Sequence, residues 1–165
     1  PSGANPVPKG PQAFGLSAWL WRAPAAYCST DAANYRWSRR YSAAQLEAAV
    51  NRTYAVGAVR DIRLGERGVS GRLRSITIIG VKDTVTVRKE LPIRQALGGL
   101  PSAMFVLEIK RGAKGPLEFV FRGGGRGHGA GLCQQGARGM AARGASASEI
   151  VAHYFQGARI ARLDE

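Results

Sequence analysis

Residues 115–154 read GPLEFVFRGGGRGHGAGLCQQGARGMAARGASASEIVAHY, and the order of elements in this stretch decides the fold. LEFVF is apolar, aromatic and β-branched, which predicts a strand. Six glycines then fall in the nine positions 123–131. Glycine on that scale is entropically costly and is tolerated where backbone must turn through positive φ or approach another surface closely. A helix is expected near 131–143, stopped by Gly144, and a second near 147–154, capped by Ser146. Strand, glycine loop and helix invite a dinucleotide-binding reading, and Gly125-x-Gly127-x-x-Ala130 satisfies the loose pattern, with Glu149 at about the right distance. That fold needs a second parallel strand after the helix. A second helix follows instead, and there is no Gly-Lys-Ser/Thr phosphate loop.

Working upstream, MFVLEIKRG and GPLEFVFRG predict a hairpin across Gly112–Gly115. VGAVRDIRLGER, RLRSITIIGV and DTVTVRK alternate apolar and polar residues as strands do, with turns at the glycines of 65–71 and at Lys82-Asp83. LPIRQALGG predicts one short helix. Ser42 caps a helix over AAQLEAAVNR, with Leu46, Ala49 and Val50 at helical spacing. AAYCSTDAANYRWSRR reads as irregular, anchored by Tyr35 and Trp37. The expectation is an α+β fold: an antiparallel sheet, short helices, and two C-terminal helices after the glycine-rich loop. Residues 1–24 read as a Pro/Gly/Trp-rich arm or the remnant of a preceding half-domain, and 25–165 as the domain proper. The start at Pro1, without a methionine, reads as a processed or excised piece.

The chain has 165 residues, enough for a real core, with 45% hydrophobic and 21% charged residues, which excludes a disordered protein. Lys and Arg number 24 against 11 Asp and Glu, a net charge of +13. Most of the cations are arginine, which suits phosphate, carboxylate or an anionic cell-wall polymer. Nucleic acid is disfavoured, because no reader motif is present and the aromatics are not interleaved with basic residues. No apolar window is long enough for a transmembrane helix.

The loop presents His128, whose imidazole either meets a sugar hydroxyl or ties down the turn. Gln134 and Gln135 open the following helix, where free N–H groups make a hydroxyl or anion site. The candidate substrate-binding residues are therefore His128, Gly129, Gln134 and Gln135. Cys28 and Cys133 fit no CxxC spacing and leave three readings open: a disulfide, two buried free thiols, or a zinc site with His128. No cofactor is otherwise expected. His153 and Tyr154 follow core spacing and read as packing residues. Trp19, Trp21 and Trp37 read as core or interface anchors, and Arg60, Arg63, Arg72 and Arg74 as a solvated sheet face.

GGGRGHGAGLCQQGARGMAARGASASEIVAHYFQGARI, from Gly123 to Ile160, resembles the closing signature of the SpoIID/LytB family (stage II sporulation protein D and amidase enhancer). His128, Gly129, Gln134, Gly136, Met140, Gly144, His153 and Tyr154 are among the residues in register, and Cys133 stands where many members have serine. AAYCSTDAANYRWSRRYSAAQLEAAV is similar to an upstream passage of that family, so the resemblance covers roughly residues 25–160, its C-terminal half. It implies a peptidoglycan-directed protein of the bacterial cell envelope, periplasmic or extracellular. Complete members look like lytic transglycosylases acting on glycan strands freed of stem peptides. The glutamate-bearing motif such an enzyme needs does not occur in this chain, and its other carboxylates sit beside arginines that keep them ionised. The expected role is thus a glycan-binding half-cleft without the catalytic acid. The alternative is a non-catalytic scaffolding subunit of an envelope protein complex.

Overall fold

The computed structural model describes residues 26–30, 32–68, 70–158 and 160–161. Trp19, Trp21, Asp31 and the proposed arm over 1–24 lie outside the described residues. In chain order, a 3-10 turn (Tyr27–Thr30) leads to α1 (Ala32–Tyr35), β1 (Arg36–Ser42), α2 (Ala43–Asn51), β2 (Val59–Leu64), β3 (Ser75–Gly80) and β4 (Thr84–Arg88). Then come α3 (Glu90–Ala96), β5 (Phe105–Gly112), β6 (Gly115–Gly124), α4 (Gln134–Ala141) and α5 (Ala147–Tyr154). The fold is α+β, with two three-stranded antiparallel sheets ordered β1-β6-β5 and β2-β3-β4.

One apolar core takes residues from both sheets and from α2 and α3: Phe105, Phe119 and Phe121 from the first sheet, Ile62, Ile76 and Ile78 from the second, Leu46 and Ile93 from the helices. Phe121 meets Tyr41 and Phe105 edge-on, with ring centroids 5.9 and 5.4 Å away, a favoured aromatic geometry. Arg111 of β5 clasps the second sheet, donating to the Asp61 carboxylate at 2.8 Å and the Arg60 carbonyl at 3.0 Å. α2 and α5 both open on reciprocal capping boxes, Ser42 with Gln45 and Ser146 with Glu149, which satisfy otherwise orphaned N–H groups.

Two expectations need correction. Residues 36–42 form a strand rather than irregular chain, pairing antiparallel with β6 from Arg36↔Gly124 to Ser42↔Glu118. RWSRRYS is an edge strand that buries only Trp37. Its arginines are the kind of charge that protects an edge from pairing further, and they also hide the alternation. The helix expected from 131 begins at Gln134, because Cys133 caps it with extended backbone. Gly131 and Leu132 stay in the loop.

Candidate functional site

β6 is the central strand of its sheet, and its C-terminal end delivers the glycine loop. The base of the loop is stapled to the core. Ser102 Oγ donates to the Gly124 carbonyl (2.8 Å), Trp37 Nε1 to the Gly125 carbonyl (3.0 Å) and the Gly127 N–H to the Pro101 carbonyl (2.9 Å). Beyond it, Gly125, Gly127, Gly129 and Gly131 hold positive φ at alternate positions. Within the loop the N–H groups of Gly125, Gly127 and Ala130 are spent on the Tyr35 carbonyl, the Pro101 carbonyl and His128 Nδ1.

The loop borders a cavity of about 560 Å³, lined by the whole of 125–135 together with Cys28, Tyr35 and Arg72. Arg72 lies under the loop. Its Nε donates to the Gly127 carbonyl at 2.9 Å, and a Cβ at Gly129 would collide with its guanidinium. Burial lowers its pKa, and the Glu90 carboxylate partly offsets that. The segment before it is fixed by Arg67, which donates to the Gly71 and Phe105 carbonyls at 2.9 and 2.7 Å, and by the Leu73 N–H on the Ala103 carbonyl. Arg72 is thus not part of a solvated sheet face, whereas Arg60, Arg63 and Arg74 are exposed. The signal for this lay in Gly68 and Gly71: the chain is still turning at 72, and β3 begins only at Ser75.

His128, Gly129, Gln134 and Gln135 all line this one cavity. His128 is exposed and its Nδ1 accepts from the Ala130 N–H at 3.1 Å. That bond leaves the proton on Nε2, free to donate outward. No carboxylate lines the cavity among the described residues. Glu108 and Glu118 are ionised partners of cations on the sheet, hydrogen-bonded to Arg122 and Lys110 respectively, which hold both carboxyls below the usual range. Glu149 is held low by the Ser146 backbone in its capping box.

Cys28 and Cys133 meet as two free thiols. The Cys28 S–H donates to the Cys133 sulfur, which pushes Cys28 up and draws Cys133 down to about 6. The N–H groups of Gly136 and Gln135 and the charge of Arg72 further favour the Cys133 thiolate against its partial burial. A helix N-terminus acts on thiols in this direction. The two residues named as a disulfide candidate thus pack together, and both are free thiols in this structure. His128, Cys133 and Cys28 border the same cavity, yet among the described residues no three His, Cys, Asp or Glu side chains converge as a ligand set.

Trp37 is core, packed against Phe105 at 6.4 Å between centroids. His153 is sandwiched edge-on between Tyr27 and Tyr154, at 5.6 and 4.8 Å. Tyr154 is buried, and its hydroxyl and the His153 Nε2 have no hydrogen-bond partner among the described residues. Among the described residues no helix is long and apolar enough to cross a membrane.

Fold and cavity together define an α+β domain that offers polar backbone, one sequestered cation and a thiol pair beneath a glycine loop. The family model for a domain of unknown function (DUF8618) matches residues 19–131, and the chain belongs to that family. No curated protein matches it. The resemblance to SpoIID/LytB is thereby overturned: no model of that family matches, and the DUF8618 match ends inside the very stretch, Gly123 to Ile160, on which the resemblance rested. The misleading signal has a physical origin. Glycines at alternate loop positions followed by a small-residue helix answer local demands for positive φ and close packing, and those demands recur on unrelated scaffolds.

Proposed function

We propose that this protein binds an acidic saccharide in the 125–135 cavity without cleaving it, the favoured ligand being a peptidoglycan glycan strand whose stem peptides are gone. One observation carries the reading: the cavity combines two arginines, an exposed imidazole, two glutamine amides and loop backbone, and among the described residues no carboxylate lines it. Amides and backbone N–H groups suit hydroxyl and acetamido groups. A strand without stem peptides bares a carboxylate on each alternate sugar, for which a guanidinium is the natural partner. Cleavage would need a general acid of raised pKa, and among the described residues none in the cavity lining supplies a carboxyl. The surplus of 13 positive charges would draw such a polymer in from a distance. Its setting on this reading is the bacterial cell envelope.

The test is a titration of the protein with soluble glycan strands lacking stem peptides. Neutral N-acetylglucosamine oligomers and duplex DNA serve as controls across a range of salt. Saturable binding to the strands, weakened about tenfold by His128→Ala or Gln134→Ala, is expected. A hydrogen bond between charged and polar partners is worth roughly that factor. Equal affinity for DNA and strands, with both variants unchanged, would reduce the effect to unspecific charge attraction and sink the proposal. Failure to bind strands, together with copurification in a stable assembly, would favour the scaffolding alternative.

A further inference from the structure

We propose that Cys133 and Cys28 form a thiol–disulfide exchange site, in which Cys133 attacks a low-molecular-weight disulfide admitted through the cavity and Cys28 resolves the mixed disulfide. This is separate from saccharide binding and rests on a different set of contacts.

The two cysteines come from elements packed directly on one another. Cys28 lies in the 3-10 turn Tyr27–Thr30 and Cys133 caps α4. Gly139 of α4 sits so close to the Tyr27 carbonyl that a Cβ there would overlap it. Close backbone packing thus brings the two cysteines into one small cluster. Their exposures differ in the sense that exchange chemistry requires. Both border the cavity, Cys133 half-buried and Cys28 only 8% exposed.

The surroundings favour one thiolate. The Gly136 N–H donates to Cys133 Sγ at 3.4 Å, and Arg72 faces it across the cavity. From α5 comes the Tyr154 hydroxyl, buried, without a hydrogen-bond partner among the described residues, and packed against Gly136. Tyr27 and His153 stand beside it, the His153 ring meeting Tyr154 at 4.8 Å and Tyr27 at 5.6 Å between centroids. Arg36 and Tyr35 flank Cys28. One cation, Arg72, and the N–H groups of Gln135 and Gly136 thus favour the Cys133 thiolate, and no carboxylate opposes them among the groups that perturb it.

The chemistry balances without a further reagent. The Cys133 thiolate attacks one sulfur of R–S–S–R. That S–S bond breaks, the Cys133–S–S–R bond forms, and RS⁻ leaves and takes a proton from water. Cys28 then attacks the Cys133 sulfur and passes its proton to the second departing RS⁻. The Cys28–Cys133 disulfide forms as the mixed disulfide breaks. The two protein sulfurs are oxidised and the two R sulfurs reduced.

The full chain is incubated with oxidised glutathione, quenched in acid, and read by mass and by peptide mapping. The wild type is expected to lose both thiols together and retain no glutathione, and Cys28→Ser to retain one glutathione on Cys133. A second readout uses the unaltered protein. At pH 5 iodoacetamide is expected to modify Cys133 about twentyfold faster than a free cysteine, since the larger thiolate fraction outweighs its lower intrinsic nucleophilicity. Wild-type protein that keeps glutathione as a stable mixed disulfide would overturn the proposal. So would Cys133 alkylation at the rate of a free cysteine. Neither readout depends on glycan binding, so the two proposals fail separately.

Discussion

The double-sheet core and the layer of loop, 3-10 turn and α4 beside it are built on opposite plans. The core excludes water with large side chains: Phe105, Phe119, Phe121, Ile76, Ile78 and Ile93 are all fully buried. The adjoining layer has a small apolar cluster of Ala26, Cys28 and Tyr35, with Cys133 against it. Its close fit comes from missing side chains, Gly139 against Tyr27 and Gly136 against Tyr154. A scaffold filled to capacity leaves no room for a ligand, and chemistry-bearing groups gather where backbone approaches backbone. Rigidity and access are thus divided between two neighbouring layers.

The largest predicted effect tests the core side of this contrast. Phe105→Ala removes a fully buried ring and is expected to cost about 3–5 kcal/mol in denaturant unfolding, destabilising both sheets together. Next, Gly139→Ala drives a Cβ into the Tyr27 carbonyl and is expected to cost about 1–3 kcal/mol. Hydrogen exchange should locate that loss in residues 27–30 and 134–141, with β3 and β6 protected as before. Uniform loss of protection would show that the two layers unfold as one.

Tyr154 sharpens the contrast with pH. Burial keeps its phenol protonated up to about pH 12, against about 10 in an unfolded chain. Between those values the folded state holds a proton that the unfolded state releases, so stability falls as pH rises. Tyr154→Phe should flatten that alkaline slope. Because the hydroxyl has no partner, the change is expected to stabilise the protein by about 1 kcal/mol at neutral pH, read as a raised midpoint. The smallest effect belongs to His128→Ala. Its one hydrogen bond lies within the exposed loop, so stability should move by less than about 0.5 kcal/mol, which isolates its part in binding.

The core was far more legible in the sequence than the site. SITII and VTVR carry the period-2 alternation of half-buried strands, Ser42 and Ser146 announce their helices, and the glycines at 112 and 115 mark the hairpin, all of which are local properties. β1 escaped because an edge strand needs only one buried residue, Trp37, and its pairing with β6 spans some eighty positions of chain. His128, Gly129, Gln134 and Gln135 were found as neighbours in one loop and helix start. Arg72, Tyr35 and Cys28 reach the same cavity from other elements, and no spacing rule encodes a meeting of that kind. The family assignment failed where residues shared for turning and packing were taken as shared ancestry.

The two-residue turn between Gly112 and Gly115 lies at the opposite end of β6 from the cavity, yet it acts as the cavity's ruler. That turn sets which residue of β6 faces which residue of β5, and hence how far the strand's other end protrudes. A slip of two positions would keep every side chain on its proper face while carrying the loop about 7 Å along the sheet, away from Arg72 and its anchors on Trp37 and Pro101. Lengthening a remote hairpin by a pair of residues is thus a way to dismantle the pocket without touching a single residue that lines it.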